Sequence, residues 1–179
     1  MNWKWSGEPG MDLHEALRAA CRLLRFDVES YLEIGVDCGG SLNTVLNEVK
    51  PERIVLCDIW NPNYCDHGEP KPHVMEILTH FGAKAIFLDG DSKVWIPTLT
   101  EKFDLVLVDG DHSAGGARAD LRAAWPLVER GGVLVMDDLN HPNYPWMTGV
   151  FEAEVARWSD ARMVDELHGE CNAALVRKV

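Results

Sequence analysis

Five short runs of Val, Ile and Leu recur along the chain, and each one leads into acidic residues. They are YLEIGV (31–36), RIVLCDI (53–59), AKAIFLD (83–89), FDLVLVD (103–109) and GVLVMDD (132–138). Most are nearly continuous apolar runs with little polar alternation, the pattern of parallel strands covered by helices on both faces. Between them lie stretches of helical period at 11–26, 41–49, 72–81, 94–102 and 114–129. Such alternation predicts a doubly wound α/β sheet in three α/β/α layers. After a further helical stretch at 147–160, MVDELHG and AALVRKV follow too closely for a helical crossover. The last two strands should therefore pair antiparallel as a hairpin at one edge. A single domain over 1–179 is expected, with a helical segment at 1–30 and the core at 31–179. The least regular stretch, WNPNYCDHGEPKP at 60–72, reads as a long loop.

Composition narrows the partners. The chain has 179 residues, 46% of them hydrophobic, and a formal net charge of −12. Such a surface repels phosphate backbones and anionic membranes, so neither nucleic acid nor a membrane is the expected partner. The five cysteines are scattered, odd in number and without a CxxC pair. That pattern predicts no disulfide framework and fits a reducing cytoplasm. No apolar leader or membrane-length segment stands in the sequence, so a soluble cytoplasmic protein is expected. Cys65, His67 and His73 match no standard zinc spacing and read as loop residues.

In an open parallel sheet, ligands bind beyond the carboxyl ends of the strands, at the switch point in strand order. The first strand ends in EIGVDCGGS, where glycines permit tight turning and a helix start offers unpaired N–H groups. The second ends in Asp58, the third in Asp89, Gly90, Asp91 and Ser92, the fourth in Asp109 to His112, and the fifth in Asp137, Asp138 and Asn140. A row of carboxylates on one edge repels itself, and a cationic ligand or a divalent metal offsets the repulsion. A pyrophosphate cofactor would meet Asp37 where GxGxxG has a glycine, and would be repelled. S-adenosylmethionine, with its sulfonium and ribose, tolerates acids all round.

At these residues the chain resembles the class I S-adenosylmethionine-dependent methyltransferases, and among them a compact bacterial group carrying LEIGVDCGGS, VDGDHS and GGVLVMDD in this order. The resemblance runs from Tyr31 to Val179. It implies a Rossmann-like seven-stranded sheet, mostly parallel with an antiparallel last strand. It implies S-adenosylmethionine binding by Glu33, Gly35, Asp37, Gly39, Ser41, Asp58, Asp91, Ser92 and Asp109. In metal-dependent relatives it further implies magnesium on Asp109, Asp137 and Asp138. Asp37 departs from the usual glycine and leaves the path of its loop open.

Methyl transfer to a hydroxyl needs a group that removes or acidifies its proton, and Asp109 with His112 are the catalytic candidates. Trp60, His141 and Trp146 follow strand ends in loops rich in Pro and Asn and are expected to line an apolar acceptor pocket. Each has a plainer reading: the glycines as an ordinary turn, Asp58 as a solvated strand end, Asp111 as a helix cap. The expected function is O-methylation of a small molecule. The alternative is a non-catalytic cofactor- or nucleotide-binding module of a larger assembly. The small size leaves room for a homodimer that completes the pocket.

Overall fold

The computed structural model describes residues 12–63, 65, 68–164 and 173–179. Seven strands form one sheet in the order β3-β2-β1-β4-β5-β7-β6. They are β1 (Ser30–Ile34), β2 (Arg53–Asp58), β3 (Ile86–Asp89), β4 (Phe103–Val108), β5 (Val128–Met136), β6 (Ala161–Met163) and β7 (Ala174–Lys178). The first five pair parallel, and β7 lies antiparallel between β5 and β6. Strand order reverses between β1 and β4, which opens a crevice at their carboxyl ends.

The alternation of side chains along the strands divides the core into two layers. On one face Tyr31, Leu105, Val133 and Leu175 pack against α1 (Leu13–Leu23), α2 (Gly40–Glu48) and α3 (Pro70–Phe81). On the other, Leu32, Val106, Leu134 and Val176 meet Ile96, just after the short α4 (Ser92–Trp95), together with α5 (Ala114–Ala124) and α6 (Met147–Val155). Burial of both faces is why the strands read as continuous apolar runs. Asp12 caps α1, its carboxylate accepting from the Glu15 amide at 2.8 Å, and the helix buries Ala16, Leu17, Ala20 and Cys21. Glu154 of α6, only 2% exposed, receives the guanidinium fork of Arg122 of α5 at 2.9 Å and locks the two helices together;.

Prolines shorten two expected helices. The 94–102 stretch holds only the single turn α4 and a 3-10 turn at Ile96–Thr98 around Pro97. The 114–129 stretch leaves α-helix at Ala124, makes a 3-10 turn at Trp125–Leu127 around Pro126, and is already strand at Val128. A ring nitrogen cannot donate to the preceding turn, so the α-helix ends there. Of the expected strand over MVDELHG, Met163 is the last residue of β6, and 165–169 lie outside the described residues. Trp125 and Trp158 stack at 4.3 Å. Trp95 stays 38% exposed and donates its indole N–H to the Asp89 carbonyl at 3.0 Å. Among the described residues no helix is long and apolar enough to cross a membrane.

Candidate active site

A cleft of about 830 Å³ lies over the switch point, and residues from all five parallel strand ends border it. Its first wall is the turn after β1. Gly35 has φ +83, and a Cβ there would stand 2.0 Å from the Asp109 carbonyl oxygen, so the β1 and β4 loops touch through glycine backbone;. Asp37 follows with φ +46, the left-handed conformation a glycine would take, which Asp tolerates better than most residues;. The Asp58 carboxylate braces this turn. It accepts from the backbone N–H of Val36 at 2.6 Å, Asp37 at 3.0 Å and Trp60 at 2.5 Å.

Glu33, Gly39 and Ser41 do not border the cleft; they support the turn from behind. Glu33 is fully buried and accepts from the Ser41 hydroxyl, and burial pushes its carboxyl up to about 8. Gly39 packs on Val74 and Ile77 of α3. One expectation is overturned here: Cys38 and Cys65 form a disulfide, with Cα atoms 5.5 Å apart across 27 positions of sequence. Nothing in their spacing announces it, because the pairing exists only once the β2–α3 loop folds back onto the β1 turn. Cys21 and Cys57 are buried free thiols. His67 lies outside the described residues.

At the end of β3, Asp89 binds the Lys71 ammonium at 2.5 Å and the Trp60 indole N–H at 2.8 Å, and these contacts hold its carboxyl below the usual range. Trp60 therefore turns toward Asp89, Lys71 and Phe87 and does not line the cleft. Asp91 caps α4 through the Lys93 amide at 2.8 Å.

The β4 and β5 ends are built differently. The His112 imidazole sits between two carboxylates, its Nε2 3.2 Å from Asp109 and 3.1 Å from Asp138. The Asp109 hydrogen bond raises the His112 pKa against partial burial, while burial raises that of Asp109. Asp138 takes up this position with φ +57, a left-handed conformation uncommon outside glycine and concentrated at functional sites;. Asp137 borders the cleft, and burial pushes its carboxyl up to about 7. Its Oδ1 is buried and has no hydrogen-bond partner among the described residues. The ligand atoms of Asp109, His112 and Asp138 lie within 4.8 Å of one another, and Asp137 is outside that set. Asp111 does act as a turn cap, accepting from the Ser113 amide at 2.9 Å, and Ser113 in turn caps α5.

Beyond His112 the wall is aromatic. Tyr144 stacks on His112 at 4.7 Å and His141 on Tyr144 at 4.8 Å. The Trp146 indole donates to the His112 carbonyl at 2.8 Å, and its ring borders the cleft 43% exposed. His141 backs Tyr144 without reaching the cleft. Tyr144 went unnoticed in the sequence; its place between two expected pocket residues was the available signal.

The acceptors of this cleft suit a cation with a ribose better than a pyrophosphate: carboxylates of Asp37, Asp58, Asp109, Asp137 and Asp138 all border it;. A family profile described as Methyltransferase domain matches residues 32–139, from β1 through β5. The chain belongs to this family of methyltransferase domains. It is similar to the Uncharacterized protein R132 of Acanthamoeba polyphaga mimivirus, 27% identical over 133 residues, which are 69% of this chain and 57% of that protein. The chain thus spans little more than half the length of that relative. Its fold is similar to that of the O-methyltransferase TomG of Streptomyces achromogenes, solved with S-adenosylmethionine, at TM-score 0.66 and 22% identity over 91% of this chain and 78% of TomG. The Podospora anserina methyltransferase PaMTH1 superposes at TM-score 0.64 with 18% identity, over 93% of this chain and 77% of that one.

Proposed function

We propose that this methyltransferase acts on a hydroxyl of a small molecule, with His112 as general base. The observation that carries this reading is the imidazole held between Asp109 and Asp138 at the β4–β5 end of the cleft. The turn after β1 would hold the amino-acid end of the cofactor, Asp58 its ribose and the Asp91–Ser92 pair its adenine, and the cofactor supplies a sulfonium methyl group for in-line displacement. The acceptor then enters from the side of Tyr144 and Trp146, whose rings suit an apolar or aromatic body;. Neutral His112 takes the hydroxyl proton, and the two flanking carboxylates orient the ring and stabilise the imidazolium that forms. A net charge of −12 disfavours a nucleic-acid acceptor, and the likeness to the O-methyltransferase TomG supports oxygen as the target atom;.

The residues do not fit magnesium well. Magnesium favours an all-oxygen octahedron, whereas the clustered set includes an imidazole and leaves out Asp137;. In this geometry the group between Asp109 and Asp138 is the His112 imidazole. A panel of hydroxylated acceptors, assayed by methyl transfer with and without chelator, tests the reading. Transfer should survive chelation, and kcat/KM should rise with pH and reach half its plateau above the ordinary histidine value near 6.5, because the base works unprotonated and its pKa is raised;. Activity abolished by chelator and restored by magnesium would contradict it.

A further inference from the structure

Asp120 lies in the middle of α5, in a stretch, RADLRAA, that reads as a solvated helix face, yet it is fully buried. Its two oxygens reach two different loops. Oδ1 accepts from the Ser92 hydroxyl at 2.6 Å, after β3. Oδ2 accepts a longer bond, 3.4 Å, from the Asp111 N–H after β4. The carboxylate also packs directly beneath Gly110, where a Cβ would come within 3.1 Å of Oδ2. Gly90, Ser92, Gly110 and Asp111 all border the cleft, so Asp120 sits under its floor and joins two of its walls.

A second bridge spans the same loops on the outside. The Lys93 ammonium lies 3.3 Å from Asp91 and 2.8 Å from Asp111, with 42% of its side chain exposed. Exposed ion pairs of this kind contribute little and yield to salt. Hydrogen bonds to a buried carboxylate are stronger, and losing one leaves donors unsatisfied. The inner bridge therefore sets the spacing.

We propose that Asp120 is a positioning residue that fixes the separation of the β3 and β4 loops, and with it the slot that receives the adenine end of S-adenosylmethionine. This rests on the cofactor orientation proposed above. Asp120 touches no ligand; it acts through Ser92 and Gly110–Asp111. The requirement is for a group bonded to both loops, not for negative charge. An asparagine meets it, with the amide oxygen accepting from the Asp111 N–H and the amide N–H₂ donating to a reoriented Ser92 hydroxyl.

Calorimetric titration with S-adenosylmethionine and with 5′-methylthioadenosine, which carries the adenine end without the amino-acid end, tests this. In Asp120→Ala both ligands should weaken by the same factor, roughly tenfold for a lost buried bridge. Asp120→Asn should bind both within about twofold of wild type, as expected where the hydrogen bonds are kept. Should Asp120→Ala not fold, Asp120→Glu serves, since its extra methylene forces the loops apart and should weaken both ligands alike. Wild-type affinity for both ligands in the folded Ala or Glu variant, or a loss confined to S-adenosylmethionine, would overturn the assignment while leaving the cofactor reading intact. Failure of the wild-type protein to bind either ligand would overturn both.

Discussion

The two halves of the cleft use the same residue type for opposite purposes. At the ends of β2 and β3, carboxylates are engaged chiefly by the protein: Asp58 accepts from three backbone N–H groups, with acceptor capacity left at the cleft, and Asp89 holds Lys71 and Trp60;. At the ends of β4 and β5, Asp109 and Asp138 converge on one imidazole, and Asp137 keeps a buried oxygen with no hydrogen-bond partner among the described residues. The first half spends its charge on holding a loop in shape. The second leaves charge where a reacting proton would need it. A row of acids at a sheet edge is thus two devices, and only hydrogen-bond partners tell them apart.

The largest break in this contrast should come from Gly35→Ala. The added carbon meets the Asp109 carbonyl at 2.0 Å and the backbone has φ +83, so both halves are pushed apart at once. A loss of about 3 kcal/mol or more in denaturant unfolding, with loss of cofactor binding, is expected. Next comes the Cys38–Cys65 crosslink. Cys38→Ser, or reduction by a dithiol, should cost about 3 kcal/mol for a closed loop of this length, read as a lowered unfolding midpoint;. Equal midpoints with and without reductant would show that the loop is held by Asp58 and Lys71 alone.

A smaller effect sharpens the electrostatic side. Glu33 and Asp137 have carboxyls raised to about 8 and about 7, and His112 is raised as well. The folded chain therefore holds more protons than the unfolded one between the ordinary carboxyl range and about pH 8, so stability should fall as pH rises through that window. Asp111, lowered to about 2 chiefly by Lys93, acts with the opposite sign, and its contribution is lost as pH falls from the ordinary carboxyl range toward 2;. Denaturant midpoints at pH 5 and pH 8 would show the decline, and Glu33→Gln should flatten it. Lys93→Ala belongs at the bottom of the scale. Its pairs with Asp91 and Asp111 are solvent-exposed, and less than about 1 kcal/mol is expected, vanishing at high salt;.

The alternation of strands and helices, the three layers and the antiparallel last strand were legible because hydrophobic period encodes them, and strand-end position marked Asp109, His112 and Asp138 one by one without showing that they converge. What escaped the sequence depends on partners distant along the chain. Trp60 was expected in the pocket, but Lys71 and Asp89 claim it. Cys38 and Cys65 looked like unrelated thiols until the β2–α3 loop closed over the β1 turn. Asp120 carries no local sign of burial, since its helix is flanked by arginines, and Tyr144 is one aromatic among several in an irregular loop. The helix limits at Pro97 and Pro126 were readable from the prolines themselves.

The division of the cleft is tested most directly by His112→Ala, followed by two readings on the same sample. The account predicts that calorimetric affinity for S-adenosylmethionine is unchanged, while methyl transfer to a hydroxylated acceptor falls by a factor on the order of 10² to 10⁴, the usual contribution of a general base. A variant that loses cofactor binding, or one that binds and still transfers at the wild-type rate, would contradict it.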